Sequence, residues 1–381
     1  MTRLAREIAV HVVVDQGAEQ LLRRLSDPFW FQAFGCVLGF DWHSSGVTTT
    51  VTGALKEGLA GIDRELGLYA QGGKGATSRK TPAEIIERCH LLSVDATPLV
   101  YASRMAAKVD SAAVQDGYQL YHHAFFFTAT GHWCVVQQGM SNDTRTARRY
   151  HWLSESLDSF VNEPHEAICS DRRGETLNLV SAENGPLRQA SAELASGPPD
   201  RVMDVVGRYA GRRPHRTKSA SFAGSLPFDD PGDTHVTEVK RGRDAGTPAL
   251  EMPAAHALHL ADLDQQHLRS VLLSTYERAP RDFEGLLSLA GVGPRTLRAL
   301  ALVSEVIYGT PASTRDPARF AFAHGGKDGT PFPVDRATYD RTIDVLHRAM
   351  ASAKIDRSDK LDALKRLGRF ARATEPRPDV S

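Results

Sequence analysis

The sequence has little cysteine, no long apolar run and no excess of either charge. Its four cysteines, Cys36, Cys89, Cys134 and Cys169, stand far apart with no Cys-x-x-Cys pair. That spacing excludes a thiolate zinc ribbon and a disulfide framework and leaves buried thiols. No stretch approaches the roughly 18 apolar residues of a membrane span. The opening Met1–Gln16 also lacks the charged, apolar and small-residue order of a secretory leader. No membrane partner and a cytoplasmic location are therefore expected. Lys and Arg number 46, as do Asp and Glu, in 381 residues; spread evenly, that balance argues against a nucleic-acid binder. Neither a GxxxxGK[ST] phosphate loop nor an HExxH metal motif occurs, and no nucleotide cofactor is expected.

What is present divides the chain. Apolar residues recur at helical spacing at Leu4, Ile8 and Val12, then at Leu21, Leu22 and Leu25, and a further helix is expected over Phe29–Leu38. Residues Gly46–Leu59 begin with a β-branched Thr/Val run and pass into a helical pattern. Gln71–Gly75 is a glycine-rich break, after which Thr81 is placed to cap a helix opening Pro82-Ala83-Glu84. From Tyr118 the period changes. The runs Tyr118–Thr128 and His132–Met140, around Ala129-Thr130-Gly131, predict a β-hairpin, with a third strand over Thr176–Val180. The expected architecture is α+β. Residues 1–195 form a mixed helix and antiparallel-sheet domain, 196–250 a Pro/Gly/Arg-rich and partly disordered linker, and 251–381 an all-α domain.

The segment Leu286–Leu302 reads helix, Gly291-Val292-Gly293, helix, and resembles a helix-hairpin-helix DNA-binding motif. Glycines permit a tight turn that brings backbone N–H groups at the next helix start close to a phosphate. Arg295 and Thr296 stand in that first turn and add side-chain donors, gripping the backbone without reading sequence. Between Arg336 and Arg372 there are ten Lys/Arg against five Asp, so a neutral chain can still carry a basic face. Pro333-Val334-Asp335 precedes a helix start. In the helix-hairpin-helix glycosylases such an aspartate stabilises the sugar cation, and by that resemblance Asp335 takes its role. Arg295 stands where bifunctional members carry lysine and cannot form a Schiff base.

The first domain is rich in histidine. Asp41 and His43, two residues apart, point to one side of an extended segment. His122, His123, His132, His151 and His165 are further candidates. Histidine with carboxylate suits a Mn, Mg or Zn ion, or acid–base work on a water. Gln71–Lys80 is a basic glycine loop able to hold a phosphate through Lys74, Ser78, Arg79 and Lys80.

The combined text, with Phe29–Thr50, GGKGATSRKTP, HWCVVQQGM, ARRYHW and FAHGGKDGTPFPVDRATYDRTI, resembles the DUF763 family over nearly the whole chain except the linker. Members generally open with a segment carrying a Leu-Pro-Leu-His-like stretch, and the resemblance places Met1 inside the helix that follows it. The family name carries no activity. Three functions are expected in order. The first is a repair-type DNA nuclease assisted by a divalent metal. In it Asp41, His43, His123 and His151 are catalytic and Asp41, His43, His122 and His165 ligate the metal. Lys74, Arg79, Lys80, Arg148 and Arg149, with Gly291, Gly293, Arg295 and Thr296, hold DNA. The second is a monofunctional glycosylase using Asp335. The third is a non-enzymatic DNA-binding protein; protein partners stay open.

Overall fold

A computed structural model describes residues 1–40, 46–210, 264–320 and 336–374. Five helices come first: α1 (Thr2–Gln16), α2 (Ala18–Ser26), α3 (Pro28–Leu38), α4 (Val47–Leu59) and α5 (Asp63–Leu66). Strand β1 (Leu68–Lys74) follows, then α6 (Thr81–Leu92) and α7 (Thr97–Lys108). A π-helical turn over Val109–Ala113 leads to β2 (Val114–Gln115), β3 (Gln119–Thr128), β4 (Trp133–Met140), β5 (Ala147–Leu153), β6 (Ala167–Ser170) and β7 (Leu177–Asn178). The remaining helices are α8 (Gly185–Ser196), α9 (Pro199–Ala210), α10 (Gln265–Arg278), α11 (Phe283–Ser288), α12 (Pro294–Tyr308), α13 (Arg336–Ser352) and α14 (Arg357–Thr374). The fold is α+β.

One antiparallel sheet, ordered β1-β3-β4-β5-β6, lies at the centre, and helices cover both of its faces. Alternate residues of each strand serve opposite faces. Tyr69, Phe125, Phe127, Trp133, Val135, Tyr150 and Trp152 join one core with residues of α6–α12. Leu68, Ala124, Phe126, Cys134, Val136 and Leu153 join the other, with α1–α4, α13 and α14. Burial on both faces explains why β3 and β4 read as unbroken apolar runs, Ala124–Phe127 and Trp133–Val136, rather than as alternation. The helices after Asp264 thus divide between the two faces: α10–α12 pack on the side of α7–α9, and α13–α14 on the side of α1 and α3.

Helix α3 is enclosed from Phe29 to Leu38, which a sequence apolar at every position but Gln32 demands. Asp27 starts it by accepting from the N–H groups of Phe29 and Trp30, and Gly39 ends it at φ 114°. The Thr/Val run at 47–52 is helical from its first residue. Its threonines bond backward, Thr50 Oγ1 to Gly46 O (3.1 Å) and Thr52 Oγ1 to Thr48 O (2.8 Å), and packing of Val47, Val51 and Leu55 overrides their strand preference. Thr81 does not cap α6 with its side chain; its hydroxyl donates to Ser78 O (2.7 Å). The strand expected over 176–180 shortens to β7 and pairs with β2, outside the main sheet. Beyond α12, the chain crosses the free edge of β6, where Phe320 O accepts from Ser170 N (2.8 Å) and covers unpaired backbone.

Candidate functional site

A chain of buried hydrogen bonds runs beneath α7. Ser103 Oγ lies 2.9 Å from His123 Nε2, and His123 Nδ1 lies 2.7 Å from Gln137 Oε1. Gln137 Nε2 donates to Asp110 Oδ2 (2.6 Å), which also accepts from Trp152 Nε1 (3.0 Å). Asp110 Oδ1 meets His165 Nε2 at 2.5 Å. The order of donors follows from chemistry. An indole N–H only donates, so Asp110 Oδ2 is an acceptor and the Gln137 amide must turn its NH2 toward it. Gln137 Oε1 then accepts, His123 carries its proton on Nδ1, and Nε2 offers its lone pair to the Ser103 hydroxyl. Burial pushes the His123 imidazole below its ordinary range, with the Gln137 hydrogen bond opposing, so the ring is neutral at pH 7. Helix geometry places the carboxylate: the π-helical turn after α7 carries Asp110 under the sheet, where Gln137 and Trp152 also point.

Ser103, His123 and Gln137 of this chain line a cavity of about 680 Å³, with Asp110 behind them. Arg104 and Lys108 on α7, and Arg79 in the 3-10 turn Gly75–Lys80, bring three cations to it. Ser78, Ser103, Ser111 and Ser288 add hydroxyls, and among the described residues no carboxylate lines it. Burial holds the Lys108 ammonium below its usual range; such a desolvated cation gains more from an anion than one in water. The rim reaches α11: Lys108 Nζ donates to Leu289 O (3.4 Å) and Tyr101 Oη to Glu284 Oε1 (2.6 Å).

The glycine loop is locked to the same strand. Gly72 sits opposite Ala124 and Gly73 opposite His123 in the β1–β3 ladder. Gly72 has φ 86°, and a Cβ there would stand 2.2 Å from His123 O and 2.7 Å from Thr81 Oγ1. Its N–H donates to Glu84 Oε2 (2.7 Å), while its carbonyl accepts from Lys56 Nζ (2.8 Å). Lys74 extends over the Tyr121 ring, and Lys80 is exposed outside the cavity.

The other expected residues are dispersed. Asp41, His43 and Asp335 lie outside the described residues. His122 and His123 are neighbours in a strand and both line the cavity; their ring hydrogen bonds part, His122 Nε2 meeting Thr52 Oγ1 of α4 (2.9 Å) and His123 Nε2 meeting Ser103 Oγ (2.9 Å). Burial depresses the His122 imidazole to about 4. His151 is enclosed, accepting from Arg149 Nε (2.7 Å) and meeting Leu25 O through Nδ1 (3.0 Å). His165 belongs to the Asp110 chain. Among the described residues no three His, Cys, Asp or Glu side chains converge on a metal position; of the expected histidines within them, His122 and His123 line the cavity and His151 and His165 do not. Arg148 and Arg149 are interior. Arg148 pairs with Asp116 (3.0 Å) and Asp316 (2.8 Å), and Arg149 packs over Phe31 and donates to Gln32 Oε1 (3.1 Å). Neither guanidinium is open to a phosphate at the surface.

The Gly291 turn joins α11 to α12, with Gly291 at φ 87°, Val292 buried and Arg295 exposed. Thr296 is buried, so its hydroxyl is not offered at the surface beside Arg295. Sequence reasoning missed Ser103, Arg104, Lys108 and Asp110. The i,i+4 pair Arg104/Lys108 on a helix without Asp or Glu was a readable signal for a cationic face. Nothing in the local sequence marks Asp110.

A family model described as a protein of unknown function, DUF763, matches residues 1–334. The chain belongs to the DUF763 family. No curated protein and no solved structure matches this DUF763 chain. The match ends just before α13, so the two helices that close the second face of the sheet lie beyond the region the DUF763 model spans.

Proposed function

We propose that this DUF763 protein is a DNA-processing enzyme that binds a phosphodiester in the cavity beneath α7 and cleaves it, with His123 as the base. The observation that carries the reading is the wall itself: Arg79, Arg104 and Lys108 with no carboxylate among the described lining residues, beside an imidazole whose Nε2 is deprotonated. Three cations around one space, the exposed Arg79 and Arg104 with the half-buried Lys108, favour a polyanionic guest and stabilise charge that grows on phosphoryl oxygens. The neighbouring turn extends the footprint. Pro294 has no N–H and Leu297 N already bonds Gly293 O (3.0 Å), which leaves the exposed Arg295, with its amide and guanidinium, at the start of α12 for a second phosphate. The basic helices α13 and α14 cover the opposite face of the sheet and take no part in this grip.

Anisotropy with labelled single- and double-stranded oligonucleotides tests the reading, together with a cleavage assay run with EDTA and with added Mg, Mn or Zn. The double variant Arg79→Ala/Arg104→Ala should bind about tenfold or more weakly, with a salt slope shallower by roughly 1–2. Unchanged affinity and slope in that variant would contradict the proposal, and the EDTA arm decides whether a divalent ion takes part.

A further inference from the structure

We infer that Ser103 attacks the phosphorus, so that the reaction runs through a covalent phosphoseryl enzyme. The inference rests on the phosphodiester reading above and asks which oxygen performs the first displacement.

Ser103 stands in the middle of α7. A helical hydroxyl ordinarily turns back on a carbonyl three or four residues earlier, as Thr52 does to Thr48 O and Thr275 to Leu272 O. The Ser103 hydroxyl is instead directed across to the sheet, 2.9 Å from His123 Nε2. Nδ1–H is committed to Gln137, so Nε2 holds the ring's one available lone pair, and Ser103 occupies it. A water could reach this base only by displacing the serine. Ser103 is 2% exposed yet lines the cavity, which shields its hydroxyl from bulk solvent while leaving it open to a guest beside Arg104 and Lys108. The Gln137–Asp110 pair orients the imidazole and steadies the positive charge it acquires, the third part that an activated nucleophile requires.

The step balances without any redox partner. The Ser103 Oγ–P bond forms as the bond from phosphorus to the leaving ester oxygen breaks. The Oγ proton passes to His123 Nε2 and from there to that departing oxygen. In the second half, a water enters the vacated position, gives its proton to His123 and breaks the Oγ–P bond, and the proton returns to Oγ. Arg79, Arg104 and Lys108 face the non-bridging oxygens in both halves.

The test uses the full chain with bis(4-nitrophenyl) phosphate as an activated diester. The wild type should release a burst of 4-nitrophenolate matching the enzyme concentration. Acid quenching should leave a nitrophenylphosphoryl adduct on the peptide containing Ser103. Ser103→Ala should lose burst and adduct and slow turnover by roughly 10³-fold or more, while holding the labelled oligonucleotide as tightly as the wild type. Ser103→Cys should restore an adduct at the same peptide. If the wild type turns over without burst or adduct, or Ser103→Ala cleaves at a comparable rate, water is the nucleophile and the inference fails while the phosphodiester reading stands. If the wild type neither binds the oligonucleotide nor cleaves the diester, that reading fails and takes the inference with it.

Discussion

Neighbouring residues of one strand, His122 and His123, both line the cavity but spend their ring nitrogens on different helices, Thr52 of α4 and Ser103 of α7. His122 is 2% exposed and depressed to about 4 from 6.5. Between those values the unfolded chain binds a proton that the native chain refuses, so stability rises with pH across that window. The contribution is complete above about 6.5, is lost as pH falls toward 4, and amounts to about 3 kcal/mol for this residue. His123 and His151 are shifted the same way by burial. Urea unfolding should therefore show a clearly lower midpoint at pH 4.5 than at pH 7, and His122→Gln should reduce that difference; a flat profile would contradict neutral burial. The histidine richness was legible in the sequence, but its meaning was not. Paired with carboxylates on paper, the histidines suggested a metal set. In the fold, His151 spends its nitrogens on Arg149 and Leu25, and His165 meets Asp110. The Arg148-Arg149 doublet looked like a phosphate clamp, yet strand β5 is interior on both faces, and partners as distant as Asp316 claim those charges.

The β1–β3 ladder and α7 hold the candidate site as elements. The β3–β4 hairpin was readable because its turn glycine, Gly131, and long apolar runs are local signals. Strands β1, β5 and β6 were not: β1 contains the Gly72-Gly73 pair that reads as a break, and β5 alternates nothing because both of its faces are covered. Gly72 is where an element and the site meet. Gly72→Ala places a Cβ 2.2 Å from His123 O in a backbone conformation unsuited to alanine. It should cost about 2–4 kcal/mol, read as a lower denaturant midpoint, and lower activity more than Gly61→Ala, whose added Cβ meets nothing within 4 Å. Equal effects of the two substitutions would show that the loop does not position His123.

At the scale of the whole molecule, zero net charge conceals a separation: Arg79, Arg104 and Lys108 meet at the cavity, while α13 and α14 carry their lysines and arginines on the far side of the sheet. Those last helices are structural for the sheet. Leu346, Met350, Leu367 and Phe370 are buried against the layer containing Phe29 and Trp30. At roughly 1.5–3 kcal/mol each, they contribute about 6–12 kcal/mol, comparable to a domain's net stability of about 5–15 kcal/mol. A chain ended after Val334 should lose its cooperative unfolding transition and bind a hydrophobic dye; a sharp wild-type-like transition would contradict that role. The central claim, that the cavity beneath α7 cleaves a phosphodiester with His123 as base, is tested most directly by comparing wild type and His123→Gln. One preparation of each is assayed for labelled-oligonucleotide binding and for cleavage. The account predicts binding retained and cleavage reduced by roughly 10²-fold or more; cleavage at the wild-type rate with binding unchanged would contradict it.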